Sequence, residues 1–212
     1  MTRKKPTVDT AYALETPEDS KRLYAQWADT YDQTFAADMD YLMPHTIAEA
    51  FVAVGKGRSP VLDVGAGTGL LVAHEAMRDV PRIDALDISP EMLRVAGGRG
   101  VYDGLIQGDL TQTLPIEDNT YAAILSAGTF THGHVGPDAL DELMRIAKPG
   151  AVFVLGINAA HYAEQGFEAK LAALEPHIQG LMIDTVPIYG PGADDAHRDD
   201  QAHVVTFFKS PS

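Results

Sequence analysis

Three carboxylates and a glycine-rich bend are the residues of this chain best placed to do chemistry. The bend is Val61-Leu62-Asp63-Val64-Gly65-Ala66-Gly67-Thr68-Gly69, with glycines at alternate positions just after a short apolar run. Glycine tolerates positive φ and lets a ligand approach the backbone with no Cβ in the way, so Gly65, Ala66 and Gly67 are read as a backbone cradle. Asp63 stands two residues before Gly65, at the tip of the run, where it can order the loop and accept hydrogen bonds from a ligand ammonium group. Asp87 follows roughly 20 residues beyond the bend, the spacing at which an acid accepts both ribose hydroxyls of a nucleoside. Ile88, next along, can lie against one face of the base. Asp109, in Gln107-Gly108-Asp109-Leu110, is positioned to accept from an exocyclic amine, with Leu110 covering the ring.

These residues need a scaffold that brings strand tips together. Strand-like runs fall at 61–64, 83–86, 104–106, 121–125 and 151–155, and helical stretches at 70–77, 90–96 and 137–147 lie between them. Ser89-Pro90-Glu91 and Gly136-Pro137-Asp138 are helix starts, and Lys148-Pro149-Gly150 is a stop. Short buried strands alternating with helices imply a parallel sheet covered on both faces. A helix over 162–174 follows, then two extended segments at 181–188 and 203–208 that read as an antiparallel pair at the sheet edge. The expected fold is α/β: a Rossmann-like, doubly wound, seven-stranded sheet whose last strand is antiparallel. Upstream, Thr16-Pro17-Glu18-Asp19 opens a helix with a capping hydroxyl, Pro at its first position and acids in its first turn. Leu23, Trp27 and Tyr31 form its stripe, and a second helix spans 41–54. Residues 1–15 are expected to be a loose arm, 16–56 a helical cap and 57–212 the core.

Composition sets the limits. The chain has 212 residues, 16 basic against 30 acidic, a net charge of -14 and no cysteine. Disulfides, thiolate nucleophiles and Cys-based metal sites are excluded. Such acidity, with no basic cluster after residue 5, argues against nucleic acid as a partner. No apolar run approaches the roughly 20 residues of a membrane span, and the basic first residues lead into no apolar segment, so a cytoplasmic protein is expected.

A dinucleotide fingerprint spaces its glycines G-x-G-x-x-G and leaves a helix N-terminus for pyrophosphate. Here the glycines stand at 65, 67 and 69 and Asp63 leads the turn, which suits a cationic ligand better than two phosphates. The bend resembles the first motif of the class I methyltransferases, which bind S-adenosylmethionine, and Asp87 and Asp109 match the ribose and adenine acids of that superfamily. The run from Leu23 to Asp32, with Ser89-Pro90-Glu91-Met92-Leu93, Gly100-Val101-Tyr102-Asp103 and Lys148-Pro149-Gly150, resembles the Williams–Beuren-region methyltransferase-like proteins over roughly residues 20 to 160. That resemblance implies S-adenosylmethionine as cofactor and in-line methyl transfer. It also implies Tyr31 over the methionine end of the cofactor, and Ser126, closing the fourth strand, in the same region. Tyr41 is a second candidate in the cap.

No residue is assigned as catalytic or as a metal ligand. His132 and His134 follow the fourth strand at the mouth, where either could serve as a base or the segment could simply cap the next helix. The acid- and histidine-containing stretch 194–203 reads as a solvated hairpin loop, with folding over the mouth as an alternative. The acceptor is expected to be a small molecule, since the chain has no room for a separate recognition domain. A protein or RNA methyltransferase, a non-catalytic cofactor-binding module and a nicotinamide oxidoreductase are the other readings. Oligomeric state is not legible.

Overall fold

The computed structural model of the chain describes residues 6–14, 16–55, 57–131 and 135–211; His132 and His134 therefore lie outside the described residues. Seven strands form one sheet: β1 (Val61–Val64), β2 (Ile83–Asp87), β3 (Gly104–Gln107), β4 (Tyr121–Phe130), β5 (Ala147–Asn158), β6 (Ile178–Pro187) and β7 (Gln201–Lys209). Their order is β3-β2-β1-β4-β5-β7-β6. The first five are parallel, and β7 inserts antiparallel between β5 and β6. The order reverses between β1 and β4, so the crevice beyond their carboxyl ends is where this topology places a ligand.

The two faces of β1 follow from its alternation. Leu62 and Val64 pack with Leu140 and Leu143 of α6 (Ala139–Ile146) and with Phe167 and Leu171 of α8 (Phe167–Leu174). Val61, on the opposite face, packs with Ile47 and Phe51 of α3 (Met43–Gly55) and Leu71 of α4 (Leu70–Ala73). Trp27 and Phe35, from upstream of α3, join this second cluster, so the N-terminal helices share a core with the sheet. Leu93 of α5 (Pro90–Gly98) packs on Ala85 of β2.

Several local expectations are met in detail. Helix α2 (Pro17–Trp27) is capped by Thr16, whose hydroxyl oxygen accepts from the Asp19 N–H at 3.1 Å. Ser89 caps α5 in the same way, accepting from the Met92 N–H at 3.3 Å. Others change. The arm contains a short helix, α1 (Val8–Tyr12), and the stripe beyond Trp27 continues as a π-helical turn over Asp32–Ala37. The stretch 70–77 breaks at His74, whose extended backbone and Nδ1, accepting from Ala76, start a 3₁₀ turn. The stretch 162–174 is two helices, α7 (Ala159–Gln165) and α8, divided by Gly166 in the left-handed region at φ 81°. Both β4 and β5 outrun the expected strands, to Phe130 and Asn158, which carries their ends past the crevice. No helix among the described residues is long and apolar enough to cross a membrane.

Candidate active site

The bend after β1 is held by its neighbour strand. The N–H groups of Gly65 and Ala66 both donate to the Leu86 carbonyl, at 2.8 and 3.0 Å, and the Gly67 N–H donates to Oδ2 of Asp87 at 2.8 Å. Asp87 Oδ1 accepts from the Ser89 N–H at 2.8 Å, so this one carboxylate ties the glycine bend to the start of α5. Gly65 (φ 65°) and Gly67 (φ 54°) use conformations that side chains disfavour, and for different reasons of space. A Cβ on Gly65 would stand 1.7 Å from Thr129 Oγ1, whereas one on Gly67 would meet nothing within 4 Å. Gly67 thus offers bare backbone to open space.

That space is a cavity of about 1040 Å³ including its open mouth, at the switch point of the sheet. Asp63, Asp87, Gly65, Ala66 and Gly67 line it from the strand tips; Ile88 and Leu110 supply apolar walls; Tyr31 enters from the N-terminal side. Two expected members are elsewhere. Asp109 does not line the cavity, although Gly108 and Leu110 on either side do. Its Oδ1 accepts from both the N–H and the hydroxyl of Thr111, at 2.9 and 2.7 Å, closing a local turn. Ser126 is fully buried under β1, its hydroxyl donating to the Val64 carbonyl at 2.9 Å. Beyond Ser126 the β4–β5 register shifts, and Ala127 and Gly128 both line the cavity.

Other residues reach the site through tertiary packing. Tyr24 lines the cavity with Tyr31, seven positions on, and this i, i+7 pair was a signal available on one helical face. Thr68 donates its hydroxyl to Asp32 Oδ1 at 2.5 Å, and Arg99 binds both Asp32 and, through Nε at 2.5 Å, the Thr68 carbonyl. This cluster fastens the π-helical turn to the glycine bend. Arg99→Ala is expected to loosen it, speeding amide hydrogen exchange over residues 30–37 and weakening cofactor binding several-fold; equal exchange rates in both proteins would contradict the clamp.

Asp63 is 1% exposed, and its Oδ2 accepts from the Tyr102 hydroxyl at 2.6 Å. Burial pushes its carboxyl up to about 7 from 3.8; the Tyr102 hydrogen bond opposes this rise and the Asp87 charge adds to it. Asp87 is likewise raised by burial, opposed by the backbone donors Ser89, Gly67 and Ile88. Two buried acids side by side ask for a cation. Because the folded chain keeps the Asp63 proton where the unfolded chain has released it, the contribution of Asp63 to ligand-free stability falls as pH rises from about 4 to 7. The slope is about 1.4 kcal/mol per pH unit at its steepest. Asp63→Asn, which preserves the acceptor for Tyr102, is expected to flatten the fall in melting temperature between pH 5 and 8; a profile identical to wild type by scanning calorimetry would remove Asp63 as its source.

The acid- and histidine-containing stretch is not simply solvated. His197 is buried, its Nδ1 lying 3.0 Å from Asp200 Oδ2, and Asp200 Oδ2 accepts from the Tyr12 hydroxyl at 3.1 Å. The loop therefore closes over α1.

A methyltransferase domain family matches residues 62–155, which hold the glycine bend, Asp87 and β4. Over 172 residues the chain is 30% identical to human methyltransferase-like protein 27, covering 79% of this chain and 69% of that one. The chain belongs to the class I S-adenosylmethionine-dependent methyltransferases, with S-adenosylmethionine as cofactor. It is also 30% identical over 139 residues to a malonyl-[acyl-carrier protein] O-methyltransferase of Serratia marcescens, covering 65% of this chain and 51% of that one, so it spans about half of that relative's length. Among solved structures the [4+2]-cyclase SpnF superposes with a TM-score of 0.64 at 18% identity, covering 89% of this chain and 97% of that one. That likeness is one of fold. The residues present fit the cofactor: bare backbone at Gly67, apolar walls at Ile88 and Leu110, and two buried carboxylates beside a space for a sulfonium and an ammonium.

Proposed function

We propose that the chain methylates a small-molecule acceptor, with the cofactor held across the tips of β1 and β2. In this reading Asp87 accepts the ribose hydroxyls while its Oδ2 keeps Gly67 in place. Ile88 and Leu110 sandwich the base. Asp63, oriented by Tyr102, takes the ammonium group, and Tyr31 closes over the methionine end. Asp109 and Ser126 are left out of the proposed set, since neither lines the cavity. When bound, S-adenosylmethionine supplies an electrophilic methyl group on a positive sulfur. The protein's own task is then to align the acceptor with that methyl and to keep water out. Residues 16–56 act as the lid, clamped by Asp32, Thr68 and Arg99.

The observation that carries a small acceptor is enclosure. The cofactor cavity continues inward, across Tyr24, Tyr31 and Tyr41, into a second chamber walled by the N-terminal helices and β7. A folded macromolecule would have to displace those helices to present a reacting atom there. Incubation of cell extract with the protein and methyl-labelled S-adenosylmethionine is the test. Label in the fraction below about 1 kDa supports the proposal, and label confined to protein or RNA overturns it.

A further inference from the structure

We propose that the inner chamber selects a flat, uncharged, ring-bearing acceptor whose carbonyl-type oxygen takes a hydrogen bond from the Asn158 side-chain amide. The inference deepens the reading above and rests on it for the chamber's role as acceptor site.

Asn158 ends β5 and is 5% exposed. Its Oδ1 accepts from the N–H groups of Ala160 and His161, at 3.0 and 3.2 Å, which fixes the amide's orientation and caps α7. The Nδ2 donor is left with no partner among the described residues, and Asn158 lines the chamber. An amide donor left free beside a cavity can give its hydrogen bond to a ligand acceptor there. The surrounding wall is aromatic. Trp27 and Tyr189 each meet Phe35 edge to face, with ring centres 5.4 and 6.1 Å apart, and Tyr41 packs tilted against Phe35 and Tyr189. Such a wall is rigid before anything binds and favours a planar ring. The space is about 530 Å³ including its opening to solvent.

Charge at the described wall disfavours an anionic acceptor. No basic side chain lines the chamber among the described residues. Burial holds the phenols of Tyr24, Tyr31 and Tyr41 in their neutral form, with Tyr24 pushed up to about 12. Behind the wall, Asp200 accepts from Tyr12, whose hydroxyl lies 3.2 Å from that of Tyr189. A carboxylate or phosphate placed here would lose its water and meet a further negative charge.

Trp27, the chain's single tryptophan, stands in the wall, so its fluorescence reports occupancy. The probes are quinoline-3-carboxamide and quinoline-3-carboxylate, equal in shape and differing in charge, each titrated in the presence of saturating S-adenosylhomocysteine. The carboxamide is expected to quench Trp27 with a dissociation constant at least tenfold below that of the carboxylate. Asn158→Asp keeps the cap of α7 and replaces the free donor by an acceptor; it is expected to weaken the carboxamide at least tenfold while calorimetric binding of S-adenosylhomocysteine is unchanged. Equal binding of the two probes, no quenching by either, or wild-type carboxamide affinity in Asn158→Asp would overturn the inference. Failure of S-adenosylhomocysteine itself to bind would instead strike the cofactor reading, and the probe preference would then be measured without it.

Discussion

Asp87→Ala is expected to raise the dissociation constant of S-adenosylmethionine roughly 5- to 150-fold, corresponding to about 1–3 kcal/mol for the loss of a charged hydrogen-bond partner. Two effects combine. The ribose hydroxyls lose their acceptor, and the N–H groups of Gly67 and Ser89 lose theirs, so the bend that receives the cofactor is no longer pinned to α5. Asp87→Asn separates the contributions, because its amide oxygen preserves one of the two backbone contacts while the negative charge is removed. Its affinity should fall between those of wild type and Asp87→Ala. Calorimetric titration reads both, with circular dichroism to show that the sheet persists; equal affinity in all three proteins would take Asp87 out of the site.

Gly65→Ala carries the largest expected effect on folding, a loss of roughly 2–5 kcal/mol. A residue with a Cβ pays about 1–2 kcal/mol for the left-handed backbone, and the methyl drives into Thr129, adding about 1–3 kcal/mol of overpacking. Thr129 yields only by giving up its own hydrogen bond to the Val64 carbonyl at 2.9 Å. Gly67→Ala is the informative contrast. It bears the same backbone strain but meets open space, so its folding cost stays near 1–2 kcal/mol while its methyl occupies ground proposed for the cofactor. Denaturant melts should place Gly65→Ala well below Gly67→Ala. Binding titrations should rank Gly67→Ala below wild type by more than its stability loss explains. Equal melts for the two variants would contradict the distinction drawn between them.

That Asp63 and Asp87 line the cavity while Asp109 and Ser126 do not has a physical basis. The first pair sit at the ends of apolar runs with a glycine bend beside them, so sequence-local geometry fixes where their carboxylates go. Asp109 follows its short strand after a glycine, and Thr111 two residues on offers two donors that its Oδ1 accepts, in a local turn. Ser126 bonds to the neighbouring β1, and the extension of β4 to Phe130 moved the strand's end five residues past the expected stop, so Ala127, Gly128, Thr129 and Thr131 meet the ligand space instead.

The parallel-sheet pattern, the capped starts of α2 and α5, and the antiparallel closing pair could all be read from periodicity and capping residues. What could not be read were contacts between segments far apart in sequence. Tyr12 meets Asp200 across 188 positions, and Tyr41 donates to the Ala127 carbonyl at 3.2 Å across 86. No local rule places an N-terminal arm against the β6–β7 loop, and so the aromatic chamber, built from both ends of the chain, emerges only in the folded protein.

A crystal structure with S-adenosylhomocysteine bound tests the central claim most directly. The account expects both ribose hydroxyls about 2.7–3.2 Å from the Asp87 carboxylate, the adenine between Ile88 and Leu110, and the sulfur facing the tyrosine-walled chamber. An adenosine bound elsewhere, or one whose ribose leaves Asp87 without contact, would contradict it.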